Sequence, residues 1–254
     1  MKQYELNKEI EDFVKSKGTL PTNYTAADLD YIRQYTGAGG QGKHGAKGEG
    51  LLYEFYTPDY ICELMYKQAL AHGYDGGPVL EPSIATGNIV KPFPKETKIT
   101  GFEINPTTAI IAQLLFPDAK IYNQYFETAF LQPERYTSRI RLPKFTWLTD
   151  YPFSLVIGNP PYGKYRNKYS SYFTNPKIPQ IEQFFMYYGL LLLKPGGLLL
   201  YLTSSNFLRN GISYNAIKEK IGKIADLIDA YRLPPVFEFS QVPTDILIFK
   251  KKQK

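Results

Sequence analysis

The sequence predicts an α/β fold, a doubly wound and mostly parallel sheet preceded by an N-terminal helical arm, and three observations carry that prediction. From Pro78 onward, short apolar runs alternate with helix-periodic segments, the order expected of repeated strand–helix–strand units. Phe153 to Ile157 is apolar throughout rather than alternating, which suits a parallel strand covered on both faces and ended by Gly158. Glu103 stands near the end of the segment GFEIN, at a strand's carboxyl end, where open α/β sheets place ligand-binding groups and where an acid is spaced to accept ribose hydroxyls.

In chain order, Leu6, Ile10, Phe13 and Val14 fall on one face of a helix. A second helix is expected from Ala26 to Tyr35, with Thr25 as its N-cap and Leu29 and Ile32 turned inward. Residues 1–36 thus read as a helical arm. Residues 37–50, GAGGQGKHGAKGEG, match GxGxxG at Gly37, Gly39 and Gly42 and part of a phosphate loop at Gly42 and Lys43. Both motifs need a strand before and a helix after. Here a helical segment precedes and more glycine follows, and His44 stands where Ser or Thr would hold magnesium. The stretch reads instead as a basic loop able to cover substrate or touch a DNA backbone, or as a linker.

Residues 51–254 read as one further domain. Thr57 is the expected N-cap of a helix with Pro58 in its first turn and Gly73 at its end. Pro78–Ile89 gives a strand and a turn, Gly101–Asn105 the end of a second strand, Pro106–Phe116 a helix and Ala119–Tyr122 a third strand. After Phe153–Ile157 comes a polar, aromatic loop from Tyr165 to Pro179, then a helix over Ile181–Leu193. A KPGG turn leads into a strand at Leu198–Thr203, a helix spans Ser213–Ile221, and Ile224–Tyr231 is a strand. A hairpin is expected within Val236–Phe249, with DILIF as one arm.

The 254 residues are 43% hydrophobic and 21% charged, which excludes disorder and permits one sizeable core. A net charge of +6 permits a polyanionic partner. The single cysteine, Cys62, excludes an internal disulfide and favours a reducing compartment. With two histidines and that one cysteine, a structural zinc site is not expected. No stretch reads as a signal peptide or a membrane span, so a cytoplasmic location is the expectation.

The chemistry concentrates where the buried strand ends, at Asn159-Pro160-Pro161-Tyr162. Asn159 supplies a side-chain carbonyl, Pro160 a backbone carbonyl without a competing N–H, Pro161 a fixed φ, and Tyr162 an aromatic face. Two acceptors gripping the two N–H bonds of a planar amine favour a pyramidal nitrogen with its lone pair freed for attack. A loop that merely ends a strand is the alternative.

Four segments in order, EFYTP (Glu54 to Pro58), LEPSIATGN (Leu80 to Asn88), GFEINP and IGNPPY, together resemble the gamma-type amino-methyltransferases that act on adenine N6 in DNA. The resemblance covers residues 51 to about 250. It extends to the helix with Glu182 and Phe184, to LKPGGLLLYLTSSNFL and to VPTDILIF. It implies the seven-stranded class I S-adenosylmethionine-dependent methyltransferase fold, with S-adenosylmethionine as cofactor and an extruded DNA adenine as target.

Carried residue by residue, the resemblance implies that Tyr56, Thr57 and Pro58 meet the methionine end of the cofactor, with Glu81 near its amino group. Pro82, Ser83, Ala85, Thr86 and Gly87 would form the cofactor loop. Glu103 would hold the ribose, Ile104 and Phe126 would cover the adenine, and Asn159 would face both cofactor and target. Asn159 and Pro160 would grip the target amine beside Pro161, and Tyr162, with Phe237 or Phe239, would stack on the base. Two positions depart from the pattern. Ala85 stands where glycine is usual, which is tolerable at negative φ, and Tyr125 stands where an aspartate commonly reads the cofactor adenine.

NPPY also occurs in RNA and protein-glutamine methyltransferases, so those substrates stay open. So does a catalytically weak subunit that binds cofactor and DNA within a restriction-modification or related complex. The region that follows the last hairpin in gamma-order enzymes has no counterpart here. Target recognition is therefore expected from a separate domain or subunit, or from the loops at 37–50 and 163–179.

Overall fold

The computed structural model describes residues 2–37, 56–131, 146–208, 212–237 and 243–253. The run Phe153–Gly158 is a strand buried along its whole length, as its unbroken apolar character requires. Numbered in chain order, the strands are β1 (Val79–Glu81), β2 (Ile99–Phe102), β3 (Lys120–Tyr122), β4 (Phe153–Gly158), β5 (Leu193–Ser204), β6 (Ala225–Leu233) and β7 (Thr244–Lys251). They form one seven-stranded sheet in the order β3-β2-β1-β4-β5-β7-β6. β1 to β5 run parallel, and β7 lies antiparallel between β5 and β6.

The helices are α1 (Gln3–Lys17), α2 (Ala26–Ile32), α3 (Asp59–Ala71), α4 (Pro106–Leu115), α5 (Thr146–Asp150), α6 (Ile181–Leu192) and α7 (Ile212–Ile224). Alternate residues of the central strands feed two cores. Val156, Leu199, Tyr201 and Leu247 join the side chains of α6 on one face. Leu155, Ile157, Leu200 and Ile248 join Ile61, Cys62 and Met65 of α3 on the other. The strand order reverses between β1 and β4, so the connections leaving these neighbours diverge and open a crevice at their carboxyl ends.

The arm is not a loose appendage. Ile10 and Val14 of α1 and Ile32 of α2 share a cluster with Ile111 and Leu114 of α4, and Tyr56 packs against it. Thr25 caps α2 through Asp28, as expected, but the helix stops at Ile32, short of Tyr35. α3 begins one residue later than the sequence suggests. Pro58, at φ −60 and ψ 147, is the extended N-cap, and Thr57 precedes it. Gly73, at φ 99, closes the helix by donating to Leu70 O while Tyr74 donates to Ala69 O, a Schellman arrangement.

Two further expectations are corrected. KPGG is not a turn ahead of β5: the strand begins at Leu193, opposite Phe153, and its pairing with β4 resumes at Leu198 opposite Leu155. Residues 194–197 therefore form an irregular excursion inside one strand, with Gly196 at φ 78. The hairpin partner of DILIF is β6, which lies ahead of Val236, and not a second arm inside Val236–Phe249.

Candidate functional site

The crevice is built around a carboxyl group taken into the core. Glu81 ends β1 and is 1% exposed. Its Oε1 accepts from Ser83 N and from Ser83 Oγ, both at 3.2 Å. Ser83 Oγ also lies 3.2 Å from Asn159 O, so one hydroxyl joins the loop after β1 to the loop after β4. A Cβ at Gly158 would sit 2.6 Å from Glu81 Oε1, and glycine is therefore required for the carboxyl to lie there. Burial pushes the Glu81 pKa up to about 8, against the opposing hydrogen bonds from Ser83 and with a small push from Glu103.

From Ser83 the chain turns across the end of β2. Ile84 donates to Phe102 O at 2.9 Å and Gly87 to Ile84 O at 2.8 Å. The absence of a side chain at Gly101 admits Ile84, since a Cβ there would meet it at 2.7 Å. Ala85 sits in the left-handed region at φ 49. Alanine at this position is expected to be tolerable at negative φ, and the tight turn imposes the opposite sign. Its N–H donates to Glu103 Oε2 at 3.0 Å, and Glu103 Oε1 accepts from Asn105 N at 2.7 Å. The Glu103 carboxylate is thus oriented by two backbone donors, and a carboxylate oxygen can accept more than one hydrogen bond.

Thr86 and Gly87, the latter at φ 90, complete the turn. Thr57 is buried, and its carbonyl accepts from Asn88 Nδ2 at 3.5 Å. Asn88 was quoted in the sequence motif without a role, yet it ties Tyr56-Thr57-Pro58 to the loop that follows β1. Pro82 is buried in this loop, and Ile104 stands exposed beside Glu103.

At the end of β4, Pro160 is buried and Asn159, Pro161 and Tyr162 are half-buried. Tyr162 donates its hydroxyl to Asn159 Oδ1 at 2.5 Å and lies 3.4 Å from Leu202 O. Burial, and then the charge of Glu182, raise the pKa of this phenol, which stays a donor. Glu182, in the first turn of α6 and 3% exposed, accepts from Gly163 N at 3.1 Å. Gly163 O in turn accepts from Ile181 N at 2.8 Å. This two-bond clasp, invisible in spacing alone, fixes the exit of the NPPY loop. Gly163, at φ 118, has a backbone that disfavours any side chain.

Phe126 and Phe237, expected at the cofactor adenine and the target base, are both packed into apolar clusters. Phe126 is 2% exposed, its ring 5.1 Å from those of Phe130 and Phe185 and 5.6 Å from that of Phe102. It belongs to the core cluster that also holds Phe184 and Phe185 of α6. Phe237 is 7% exposed and belongs to the apolar cluster on the α3 face. Tyr125 is half-buried, its ring 5.3 Å from that of Tyr169 with Lys168 Nζ 5.0 Å from its centroid. Glu127, which the sequence reading passed over, is 1% exposed and accepts from Asn167 Nδ2 at 2.5 Å. Its signal in the sequence is an acid one residue after Phe126 within FETAF, which ends in a second phenylalanine. Glu54, residues 38–50 of the basic loop and Phe239 lie outside the described residues. Among the described residues no helix is long and apolar enough to cross a membrane.

The Eco57I restriction-modification methylase family model matches residues 97–237, more than half of the chain. The chain belongs to that family. It is 27% identical over 220 residues to Defense against restriction protein B of Escherichia phage P1, covering 85% of this chain and 9% of that protein. It is 27% identical over 111 residues to the Type II methyltransferase M.CvrRI of Paramecium bursaria Chlorella virus XZ-6E, covering 42% of this chain and 24% of that protein. The chain thus spans under a quarter of either relative's length.

Among solved structures, the methyltransferase subunit of a type I restriction-modification system from Streptococcus thermophilus aligns with a TM-score of 0.63 at 19% identity. That alignment covers 90% of this chain and 49% of that one. A putative class I S-adenosylmethionine-dependent methyltransferase from Listeria monocytogenes aligns with a TM-score of 0.60 at 16% identity, covering 97% and 69%. The fold is that of class I S-adenosylmethionine-dependent methyltransferases.

Glu81 makes the site pH-sensitive in a definite direction. Its folded pKa, about 8, lies above the ordinary 4.5, so the folded state holds the proton more tightly than the unfolded chain. This contribution is complete below the unfolded pKa and is lost as pH rises from about 4.5 to about 8, on the order of 5 kcal/mol in all. Glu81→Gln removes the titration, so denaturant midpoints are expected to show it gaining on wild type steadily from pH 5 to pH 8. A constant difference across that range contradicts the assignment. Ala85→Gly relieves a left-handed residue worth roughly 1–2 kcal/mol but adds ~0.5–1 kcal/mol of unfolded-state freedom. Thermal melting is expected to show equal or slightly raised stability.

Proposed function

We propose that this chain transfers the methyl group of S-adenosylmethionine to the N6 amine of adenine in DNA, the base being extruded from the duplex into the NPPY loop. The observation that carries this reading is the placement of Asn159 at the end of β4, joined through Ser83 to the buried Glu81 of β1, in a chain of a restriction-modification methylase family. Acceptors for an amine and acids for a cofactor stand side by side at the crevice.

The residues present suit the cofactor. Glu81 lies buried beside Ser83, where an ammonium group brought up to it would favour its ionised form and become its charge partner, and Glu103 is pre-oriented to accept ribose hydroxyls. The loop from Pro82 to Gly87 brings backbone close, and Tyr56-Thr57-Pro58 is tied beside it by Asn88. S-adenosylmethionine, when bound, supplies an electrophilic methyl group.

The chain's own work is to extract, grip and orient. Extruding a base costs a few kcal/mol, and stacking on Tyr162 returns roughly 1–3 kcal/mol. Asn159 Oδ1, which accepts the Tyr162 hydroxyl, would exchange that donor for an N–H of the target amine. The Pro160 carbonyl would take the second, and holding the nitrogen at attack distance is the main catalytic contribution. Recognition of a particular DNA sequence is proposed to draw on a separate domain or subunit. A second reading, a cofactor- and DNA-binding subunit with weak turnover, is favoured by Ala85 at φ 49 and by the core position of Phe126.

Labelled S-adenosylmethionine offered with unmethylated DNA, RNA and protein tests this. Label is expected at adenine N6 in DNA, and Asn159→Ala is expected to lower kcat by about 100-fold or more, the loss typical of a group that meets the reacting atoms. Label confined to RNA or protein moves the substrate, and undiminished DNA labelling by the variant refutes the role of Asn159. For the clasp, Glu182→Gln retains an acceptor for Gly163 N–H and is expected to stay within about tenfold of wild-type kcat, whereas Glu182→Ala is expected to lose more, with KM for cofactor unchanged in both.

A further inference from the structure

The segment that leaves the NPPY loop, residues 163–179, contains Lys164, Arg166, Lys168 and Lys177 and no Asp or Glu. It has two distinct faces. Tyr165, Tyr169, Phe173 and Ile178 are buried, while all four cations are exposed.

The inner face is fastened firmly. The Tyr165 ring stacks on Phe184 at 4.7 Å, and Phe173 packs against Phe184 and Tyr188 at 4.9 and 5.1 Å. Asn167 is held by the buried Glu127, and Lys164 and Gln180 form an isolated antiparallel bridge that closes the segment's base. The segment is a strap with an aromatic underside and a basic outer surface.

The cations are not consumed by internal pairing. Among the described residues Lys17, Arg33, Lys91 and Arg232 each meet a carboxylate. Among the described residues Lys164, Arg166 and Lys177 make no ion pair, and Lys168 lies over the rings of Tyr125 and Tyr169. An ordered, acid-free cationic surface costs little further entropy when it meets a polyanion, because its backbone is already fixed. Its position is as informative as its charge: it begins at the residue after Tyr162, so whatever it holds lies beside the target pocket.

We propose that the outer face of residues 163–179 grips the phosphate backbone of duplex DNA next to the extruded nucleotide, positioning the duplex without reading its sequence. This rests on the DNA reading given above and extends it to a specific surface. Each cation that neutralises a phosphate releases counterions, which steepens the salt dependence of binding by about 0.9 per contact.

The test measures binding of a labelled adenine-containing duplex by fluorescence anisotropy across a salt series, with S-adenosylmethionine affinity measured alongside as a check on folding. The strap variant K164Q/R166Q/K168Q/K177Q is compared with K8Q/K67Q/K98Q/K120Q, which removes the same charge from exposed positions elsewhere. The expected result is a slope of log K against log salt shallower by roughly 3–4 for the strap variant, little change for the control, and unchanged cofactor affinity in both. Equal losses in the two variants, or a strap variant that binds duplex as wild type does, overturns the proposal while leaving adenine methylation intact. Wild type that binds no duplex, or that shows strap dependence only with RNA, overturns the DNA reading and the proposal together. A strap variant that has lost cofactor affinity is replaced by the four single substitutions, each expected to lower the slope by about one.

Discussion

The site depends on the close approach of β1 and β4 at their carboxyl ends. Glu81 can turn into the space beside Gly158 only because that residue carries no side chain, and the space is dry enough to move the carboxyl's pKa to about 8. Ser83 then spends one hydroxyl on both loops, bonding Glu81 and the carbonyl of Asn159. A change in the charge of Glu81 is therefore felt at the residue proposed to hold the target. An isolated buried carboxylate is costly, and a cation brought beside it would offset that cost.

The opposite wall is held by a different kind of force. There the NPPY loop is clasped by Glu182 and Ile181 at the start of α6, and the strap beyond it is anchored by edge-on and stacked rings around Phe184. One wall is a polar network fixed by a single buried acid. The other is an aromatic core with two hydrogen bonds at its rim. The loop carried between these two anchorages is fastened at its entry through Asn159 O and at its exit through Gly163.

Much of this was legible in the sequence because it follows from burial. A strand covered on both faces must be apolar throughout, so Phe153–Ile157 announced itself, and the acid after β2 marked the crevice. What failed to show was orientation. Phe126 and Tyr125 are neighbours in sequence, and nothing in their spacing says which ring enters the core. Ala85 carries no mark of its φ 49, which the turn over β2 imposes through the bonds from Ile84 to Phe102 and from Gly87 to Ile84. KPGG reads as a turn in isolation, and only the register of β4 against β5 makes it an excursion within one strand. The bonds made by Glu182 and Glu127 do not show in the sequence for the same reason, since their partners, Gly163 and Asn167, lie 19 and 40 residues away.

The contact between Tyr162 and Asn159 ties these threads together. A phenol whose pKa is raised by burial remains a proton donor, and its bond to Asn159 Oδ1 satisfies an acceptor on a half-buried side chain. The exchange of that phenol for an amine N–H trades one hydrogen bond for another, so the net cost of freeing Asn159 is small compared with the extrusion of a base. A target that offers no N–H leaves the carbonyl and the phenol paired, and gains only stacking. In the proposed reaction, discrimination between amino-bearing and other bases would then rest on Asn159 and Tyr162 together, before any recognition of neighbouring sequence.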